Sequence, residues 1–331
     1  MHRAALLVLS GLLVAGSARA GLFDPEKPAL EISGDALPFE IFRDRLGDLM
    51  VAGDSTRETK QRKQMLKARA ALQNLTNPTA TELVRRGILA LRLRDTDAAF
   101  ADLHHAAQQD RQNYWAASAL GTAHLQSGQY VEAERNLAAA HDMLPEPWPI
   151  PPESAAALRT ENALRTLAKL RMAERARSAR APLTIDELFN VRFSGPNGEY
   201  EAGKIDPAEL AKLPPDAIAT VQQLLLWLPD DSRLYWLLGE LYNARGDVDS
   251  AFAIFDECIN RFDAPELRRH RQVLRDAIAN RPKPSDGESW MPTQRRWIIA
   301  GVIAVPIITG LIFFQMRQFA RRFRGSKGRK A

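Results

Sequence analysis

The amino-acid sequence predicts an all-α protein, a helical solenoid with a small β-hairpin insert and one C-terminal transmembrane helix. Three observations lead to this class. Ala, Leu and Arg favour helices and are abundant among the 331 residues, and no long stretch alternates between apolar and polar residues. A pattern of Gly, Ala and apolar residues recurs after 34 positions. An uncharged apolar run of 18 residues lies near the C-terminus.

The N-terminus has the pattern of a secretory signal peptide over residues 1–20. A short basic start precedes the apolar run Ala4–Ala15, and the small residues Ala18 and Ala20 stand where a signal peptidase would cleave before Gly21. The alternative is an uncleaved membrane anchor. The run is short for that role, because a span needs about 20 residues.

Residues 21–79 are predicted to form an N-terminal helical region. Residues 21–36 have no regular pattern, and we expect them to be irregular. Leu37–Gly53 and Thr56–Gln73 carry helical patterns. We expect these two helices to cap the end of the solenoid.

The 34-residue pattern gives two copies in residues 80–147 and a third copy that begins near Ser232. The matched positions are Gly87, Gly121 and Gly239; Ala99, Ala133 and Ala251; Leu103, Leu137 and Phe255; and Ala106, Ala140 and Cys258. A second glycine follows the first at Gly128 and Gly246, whereas Arg94 stands at that position of the first copy.

With this period and these residues, the chain resembles the tetratricopeptide repeat (TPR) family over about a third of its length. The resemblance implies that each copy is a pair of antiparallel helices, and that Gly121 and Ala133 lie where the two helices approach closely. A larger side chain there would cost about 1–3 kcal/mol through overpacking. Gly128 would open the turn with a positive φ. The resemblance further implies a binding surface rather than an enzyme.

The repeat is interrupted between the second and third copies. Residues 148–213 are predicted to hold a long helix, Glu153–Arg180, and then a β-hairpin insert at Leu183–Ile205, where short alternating runs flank the turn sequence SGPNG. Residues 214–267 are predicted to hold a degenerate half repeat, Pro214–Pro229, followed by the third full copy.

The C-terminus predicts a membrane anchor. Residues 268–296 would complete the last helix and form a Pro-, Gly- and Ser-rich stalk, and residues 297–316 would form a transmembrane helix around the uncharged run Trp297–Phe314. The tail, residues 317–331, carries seven Lys and Arg and no acidic residue, which predicts that it is cytoplasmic. The expected localisation is a single-pass membrane protein whose repeats are extracytoplasmic, in the periplasm.

The charge balance excludes nucleic acid as an expected partner. The whole chain has a formal net charge of +5. Of its 45 Lys and Arg, two lie in the signal and seven in the tail, which leaves 36 against 40 Asp and Glu. No global basic field therefore remains to attract phosphate groups.

Catalytic and metal-binding motifs are missing from the sequence. We find no P-loop, GxSxG, HExxH or strand-following GxGxxG pattern, so we expect no enzyme, no cofactor and no small-molecule substrate. The single cysteine, Cys258, cannot form an internal disulfide, and it has no neighbouring Cys or His pair that would predict a structural zinc site.

The TPR resemblance also implies a place for a ligand, since these proteins usually bind along the concave face made by the first helix of each repeat. Carried over, the protein-binding groove would be formed by Arg92, Trp115, Ser118, Thr122, Gln126, Trp236, Glu240 and Asn243. Trp115 and Trp236 would anchor a peptide, because aromatic side chains dominate such contacts. The alternative is that they pack against the next repeat or the insert. The Lys, Asn and Arg clamp of chaperone-binding members is missing.

The function expected from the sequence is that of a membrane-anchored, extracytoplasmic TPR scaffold that mediates protein–protein interactions. Its partner would be a protein or peptide that the sequence does not identify. Two alternatives stay open: a tail-anchored TPR receptor that faces the cytosol, and an accessory subunit of a membrane enzyme or transporter complex that makes contacts through its span.

Overall fold

The computed structural model describes residues 35–143, 152–177, 184–262 and 264–281. Within these residues the secondary structure is helical and no strand is present, so the predicted all-α class is confirmed. The helices, in chain order, are α1 (Phe39–Gly53), α2 (Lys60–Gln73), α3 (Ala80–Arg92), α4 (Thr96–Gln109), α5 (Tyr114–Gln126), α6 (Tyr130–Asp142), α7 (Pro152–Arg177), α8 (Pro207–Leu210), α9 (Ala217–Trp227), α10 (Ser232–Ala244), α11 (Val248–Ile259) and α12 (Pro265–Ala279).

The helices pack in the manner of a helical repeat. α3 with α4, α5 with α6, and α10 with α11 form helical hairpins, each joined by a turn of three residues. Contacts between α4 and α5, α6 and α7, α7 and α9, and α9 and α10 link these hairpins into one stack. Polar residues at the helix starts support this division. Thr79 forms a capping box with Glu82, and Asn113 and Asp231 accept backbone N–H bonds at the starts of α5 and α10.

The recurring glycine lets the two helices of each hairpin approach closely. A Cβ atom added at Gly87 would lie 2.7 Å from Cγ of Leu103, and one added at Gly121 would lie 2.5 Å from Cγ of Leu137. At Gly239 the added atom would collide with the ring of Phe255. The interpretation of these glycines as sites of close helix contact is therefore confirmed.

The turn position of each hairpin adopts a left-handed backbone. Gly128 and Gly246 have φ of 70° and 82°, as expected for the turn glycine. Arg94 occupies the same place in the first hairpin with φ of 61°. An L-residue is strained in this region, so the first hairpin keeps the turn geometry at an energetic cost that the other two avoid.

α9 lies inside the structure, and one side of α1 packs against the same core. α9 is apolar on most of its circumference, and every one of its residues is buried, as expected for a helix that packs on all sides. α1 contacts α2, α3 and α9. Its buried side chains Phe39, Phe42, Leu46 and Leu49 belong to the same hydrophobic core as the first helices of the repeats.

The predicted β-hairpin insert does not form in the described part of Leu183–Ile205. This segment consists of turns and extended backbone, with one isolated bridge between Glu201 and Lys204. The chain turns at Ala202–Gly203, within the predicted second strand, where Gly203 has φ of 70°. In addition, its N–H donates to the side chain of Asn243 on α10 instead of to a partner strand.

The membrane localisation expected from the sequence needs correction. None of the described helices is long and apolar enough to cross a bilayer. α7 has sufficient length, with 26 residues, but it carries many charged side chains. The predicted signal (residues 1–20), transmembrane helix (residues 297–316) and basic tail (residues 317–331) all lie outside the described residues.

Candidate functional site

A cleft of about 500 Å³ opens where the C-terminal ends of several helices meet. We name it the open cleft. Its lining includes Leu49 of α1, Leu91 and Arg92 of α3, Leu125 and Gln126 of α5, Tyr130 of α6, Leu167 and Arg171 of α7, Leu226 and Trp227 of α9, and Phe262. It therefore lies where α1 ends and where the first helices of the repeats converge.

The floor of the open cleft is apolar and its rim is polar. Leu226 and Trp227 are buried in the core below it. At the rim, Gln126 donates from Nε2 to the carbonyl oxygen of Trp227 over 2.7 Å, which joins α5 to α9. Arg94 and Asp230 form an ion pair of 2.8 Å between half-exposed side chains. Two of the groove residues proposed from the sequence, Arg92 and Gln126, belong to this lining.

An ionic network behind the open cleft contributes Arg171, Asp231 and Arg233 to its lining. Arg171 lies 2.6 Å from Asp186 and 3.0 Å from Asp231, while Arg233 lies 3.0 Å from Asp186 and 2.5 Å from Glu174. Asp186 is almost completely buried between the two guanidinium groups. The network joins the insert to α7 and to the start of α10. The two arginines therefore hold this side of the open cleft in position.

Three other predicted groove residues lie elsewhere. Ser118 and Thr122 are fully buried, and Trp115 is partly buried. Near them, the phenol of Tyr114 donates to Glu161 of α7 over 2.6 Å. Burial raises the pKa of Glu161 to about 7, although hydrogen bonds from Tyr114 and Ser118 oppose that rise. α7 thus packs against this part of α5.

The last three predicted groove residues lie against the insert and α12. Trp236 donates from Nε1 to Glu240 over 2.8 Å, and Nδ1 of His270 lies 2.7 Å from the same carboxylate oxygen. The ring of Tyr200 stacks on His270 with centroids 3.6 Å apart. Asn243 donates to the carbonyl oxygen of Glu201 and accepts from Gly203. Trp236 and Glu240 line a second cavity of about 690 Å³ beneath the insert.

Sequence reasoning missed the contact between α9 and the start of α1. Gln222 is fully buried and bonds the backbone of Leu37 at both its N–H and its carbonyl. Phe39, Phe42, Leu46 and Leu49 recur at helical spacing, and this pattern could have indicated that the helix is a packed element. It could not have shown what the helix packs against.

In the part of the chain that the structure describes, no group of three His, Cys, Asp or Glu side chains is placed to hold a metal ion. Cys258 is buried in the third hairpin, and burial raises the pKa of its thiol to about 12. The described helices thus have a helical-repeat-like packing, and helices of the same chain cover part of its inner surface. Comparisons with protein-family models, with curated proteins and with solved structures find no match to this chain.

Proposed function

We propose that this chain is a TPR-type interaction scaffold that binds a segment of a partner protein in the open cleft. The observation that carries this proposal is the cleft itself, an apolar floor with polar side chains at its rim, at the converging ends of α1, α3, α5 and α9. Stacked helical hairpins serve as binding surfaces in repeat proteins, which supports the same function.

The size and chemistry of the open cleft suit a short piece of polypeptide. Its volume of about 500 Å³ falls in the range of ligand sites, about 300–1,000 Å³. Apolar side chains of the partner would rest on Leu91, Leu125 and Leu226. Arg92 would donate to a carbonyl or carboxylate oxygen of the partner, since a guanidinium group offers several donors.

The cytosol-facing receptor and the accessory membrane subunit both depend on a span at Trp297–Phe314, which lies outside the described residues. The proposed function uses the described helices alone, and no membrane location is part of it.

A photo-cross-linking experiment tests this function. A photoreactive phenylalanine derivative replaces Tyr130, whose ring lines the open cleft, and the matched control places it at the neighbouring Val131, which is half exposed on α6. A third chain combines the probe at Tyr130 with Arg92→Glu. Captured proteins are identified by mass spectrometry, and affinity for a captured protein is then measured with purified components.

The scaffold function requires one protein that is captured from Tyr130, absent at Val131 and lost with Arg92→Glu. We expect its affinity to fall at least tenfold in that variant, because reversing the charge replaces an attraction by a repulsion. Equal capture at both positions, or capture that is indifferent to Arg92→Glu, would contradict binding in the open cleft.

A further inference from the structure

The inner surface of the repeat stack already holds a helix, namely α1. We infer that α1 is a built-in ligand, and that the surface beneath it is made to bind an amphipathic helix of a partner protein. This inference goes beyond the proposed function, because it adds a second binding surface beside the open cleft and names the kind of segment that this surface would take. We call the residues that hold α1 the α1 seat; its polar members include Gln222, Tyr242 and Glu257.

The apolar side of α1 has the spacing of a helix that lies in a groove. Phe39, Phe42, Leu46 and Leu49 follow one another at intervals of three, four and three residues, and all four are buried. Ile41, on the other side of the helix, is 57% exposed. Helices that bind grooves present such a single apolar stripe to their receptor.

The α1 seat binds the backbone of this segment as well as its side chains. Oε1 of Gln222 accepts the N–H of Leu37 at 2.8 Å, and Nε2 donates to the carbonyl oxygen of the same residue at 2.9 Å. Nε2 also donates to the phenol of Tyr242 at 3.0 Å, which fixes the orientation of the amide. A buried amide that bonds both backbone groups of one residue recognises an extended chain whatever its side chain is. Pro38 follows Leu37 and stands directly before α1, and as a proline it offers no N–H.

Two further contacts position α1 along its length. The ring of Phe39 meets that of Tyr242 edge-on with centroids 5.7 Å apart, and Nε of Arg43 lies 2.8 Å from Oε1 of Glu257. The seat therefore draws on α9, α10 and α11, which all follow α1 by more than 160 residues. An equivalent segment would be an extended residue, a proline, and a helix with the same apolar spacing.

The end of α1 lies at the open cleft, where Leu49 forms part of the lining. A partner that enters the cleft therefore meets α1 at once. The exposed residues 55–58 lie in the connection between α1 and α2, so α1 can leave on this connection once its own contacts with α2, at Ala52, Arg62 and Met65, are broken. Only molecules whose α1 has left the seat can bind a partner helix. The apparent affinity for that helix is therefore the affinity of the open seat multiplied by the fraction of molecules in the open state.

The test uses the full chain and a fluorescent peptide with the native sequence of residues 35–54. Phe42→Ala weakens the hold of the resident α1 and leaves the seat unchanged. We expect this variant to bind the peptide at least tenfold more tightly than the wild type does. Ile41→Ala is the matched control, and it should bind like the wild type. Adding Gln222→Ala to Phe42→Ala should remove at least nine-tenths of the gained affinity, because the peptide then loses its backbone partner.

A peptide that binds all variants alike, or none, would show that α1 is a fixed part of the core and would overturn the inference. A stable dimer that forms by exchange of α1 between copies would overturn it too, because a second copy would then be the occupant. If Phe42→Ala does not fold, hydrogen exchange of the wild type decides. Amides of α1 that exchange at least a hundredfold faster than those of α9 support the built-in ligand, and amides that exchange together with α9 contradict it. Capture from Tyr130 does not depend on α1 leaving, so failure here leaves the scaffold function standing.

Discussion

The side chain of Gln222 bonds both backbone groups of Leu37, at 2.8 Å to the N–H and 2.9 Å to the carbonyl oxygen, across 185 positions of the sequence. The start of α1 is thereby fastened to the middle of α9. Stacked hairpins alone leave an inner surface open to solvent. In this chain the bond between Gln222 and Leu37 helps to close that surface with α1, the first helix of the described residues.

We expect Gln222→Ala to lower the free energy of unfolding by about 2–4 kcal/mol. The change removes three hydrogen bonds and leaves the backbone of Leu37 without its partner, and each buried group left unpaired costs about 1–3 kcal/mol. Urea denaturation measures the difference. Gln112→Ala, at an exposed position between α4 and α5, is the control and should stay within about 0.5 kcal/mol of the wild type. Equal effects of the two substitutions would contradict a structural role for the amide.

Gly121→Ala and Gly47→Ala should change stability in opposite directions. The added methyl group at Gly121 would lie 2.5 Å from Cγ of Leu137, so we expect a loss of about 1–3 kcal/mol through overpacking. At Gly47, in the middle of α1, a methyl group meets no described atom within 4 Å. There alanine should add about 0.5–1 kcal/mol, because glycine is a poor helix former. Thermal denaturation of both variants tests the pair, and a loss at Gly47 would contradict the open space around it.

The repeats could be predicted from the sequence because their determinants are local. Gly121 meets Leu137 within one hairpin, and the turn at Gly128 lies between them, so a fixed spacing of residue types carries the information. The same holds for the first and third hairpins. A helix or turn whose partners are within about 20 residues leaves a readable pattern in a single sequence.

The inner surface could not be predicted, because its determinants are distant in the chain. Trp236 and Asn243 stand at groove positions by their spacing, but Glu201 and Gly203 of the insert lie against Asn243. Similarly, nothing in the pattern around Gln222 indicates that it faces Leu37. A repeat pattern shows which face of a helix points inward, and it does not show which other segment packs there.

Replacing Arg94 tests the strain at the first turn. Arg94→Gly and Arg94→Ala both remove the ion pair with Asp230, so their difference reports the backbone alone. Because φ is 61°, we expect the glycine variant to be more stable than the alanine variant by about 1 kcal/mol. Urea denaturation of the two variants measures this difference. An alanine variant as stable as the glycine variant would show that the turn relaxes to a negative φ.

Removal of the charge at Asp186 should loosen the insert. Asp186→Asn leaves Arg171 and Arg233 facing each other with one fewer carboxylate, and breaking a buried ion pair costs about 3–5 kcal/mol. Each arginine keeps another acidic partner, so we expect the free energy of unfolding to fall by about 3 kcal/mol, at the lower end of that range. Limited proteolysis within residues 184–206 should accelerate as well. Asp142→Asn, at an exposed position, is the control and should change neither measurement.

Glu161 should make the stability of the protein depend on pH near neutrality. Burial raises its pKa to about 7 in the folded chain, against a value of 4.5 for the unconstrained side chain. Below pH 4.5 the carboxyl group is protonated in both states and costs nothing. Between pH 4.5 and 7 the unfolded chain releases this proton and the folded chain keeps it, so the free energy of unfolding falls as pH rises, by up to about 3 kcal/mol.

Glu161→Gln removes this titration and keeps an oxygen that accepts the phenol of Tyr114, which the carboxylate bonds at 2.6 Å in the native chain. Urea denaturation from pH 4.5 to 8.5 should therefore show the variant gaining stability relative to the wild type as pH rises, with the gain levelling off above pH 7. Glu132→Gln, on the exposed side of α6, is the matched control and should leave the pH profile unchanged. Parallel profiles for Glu161→Gln and the wild type would mean that the carboxylate is ionised in the folded protein at no cost, and that α7 does not desolvate it against α5.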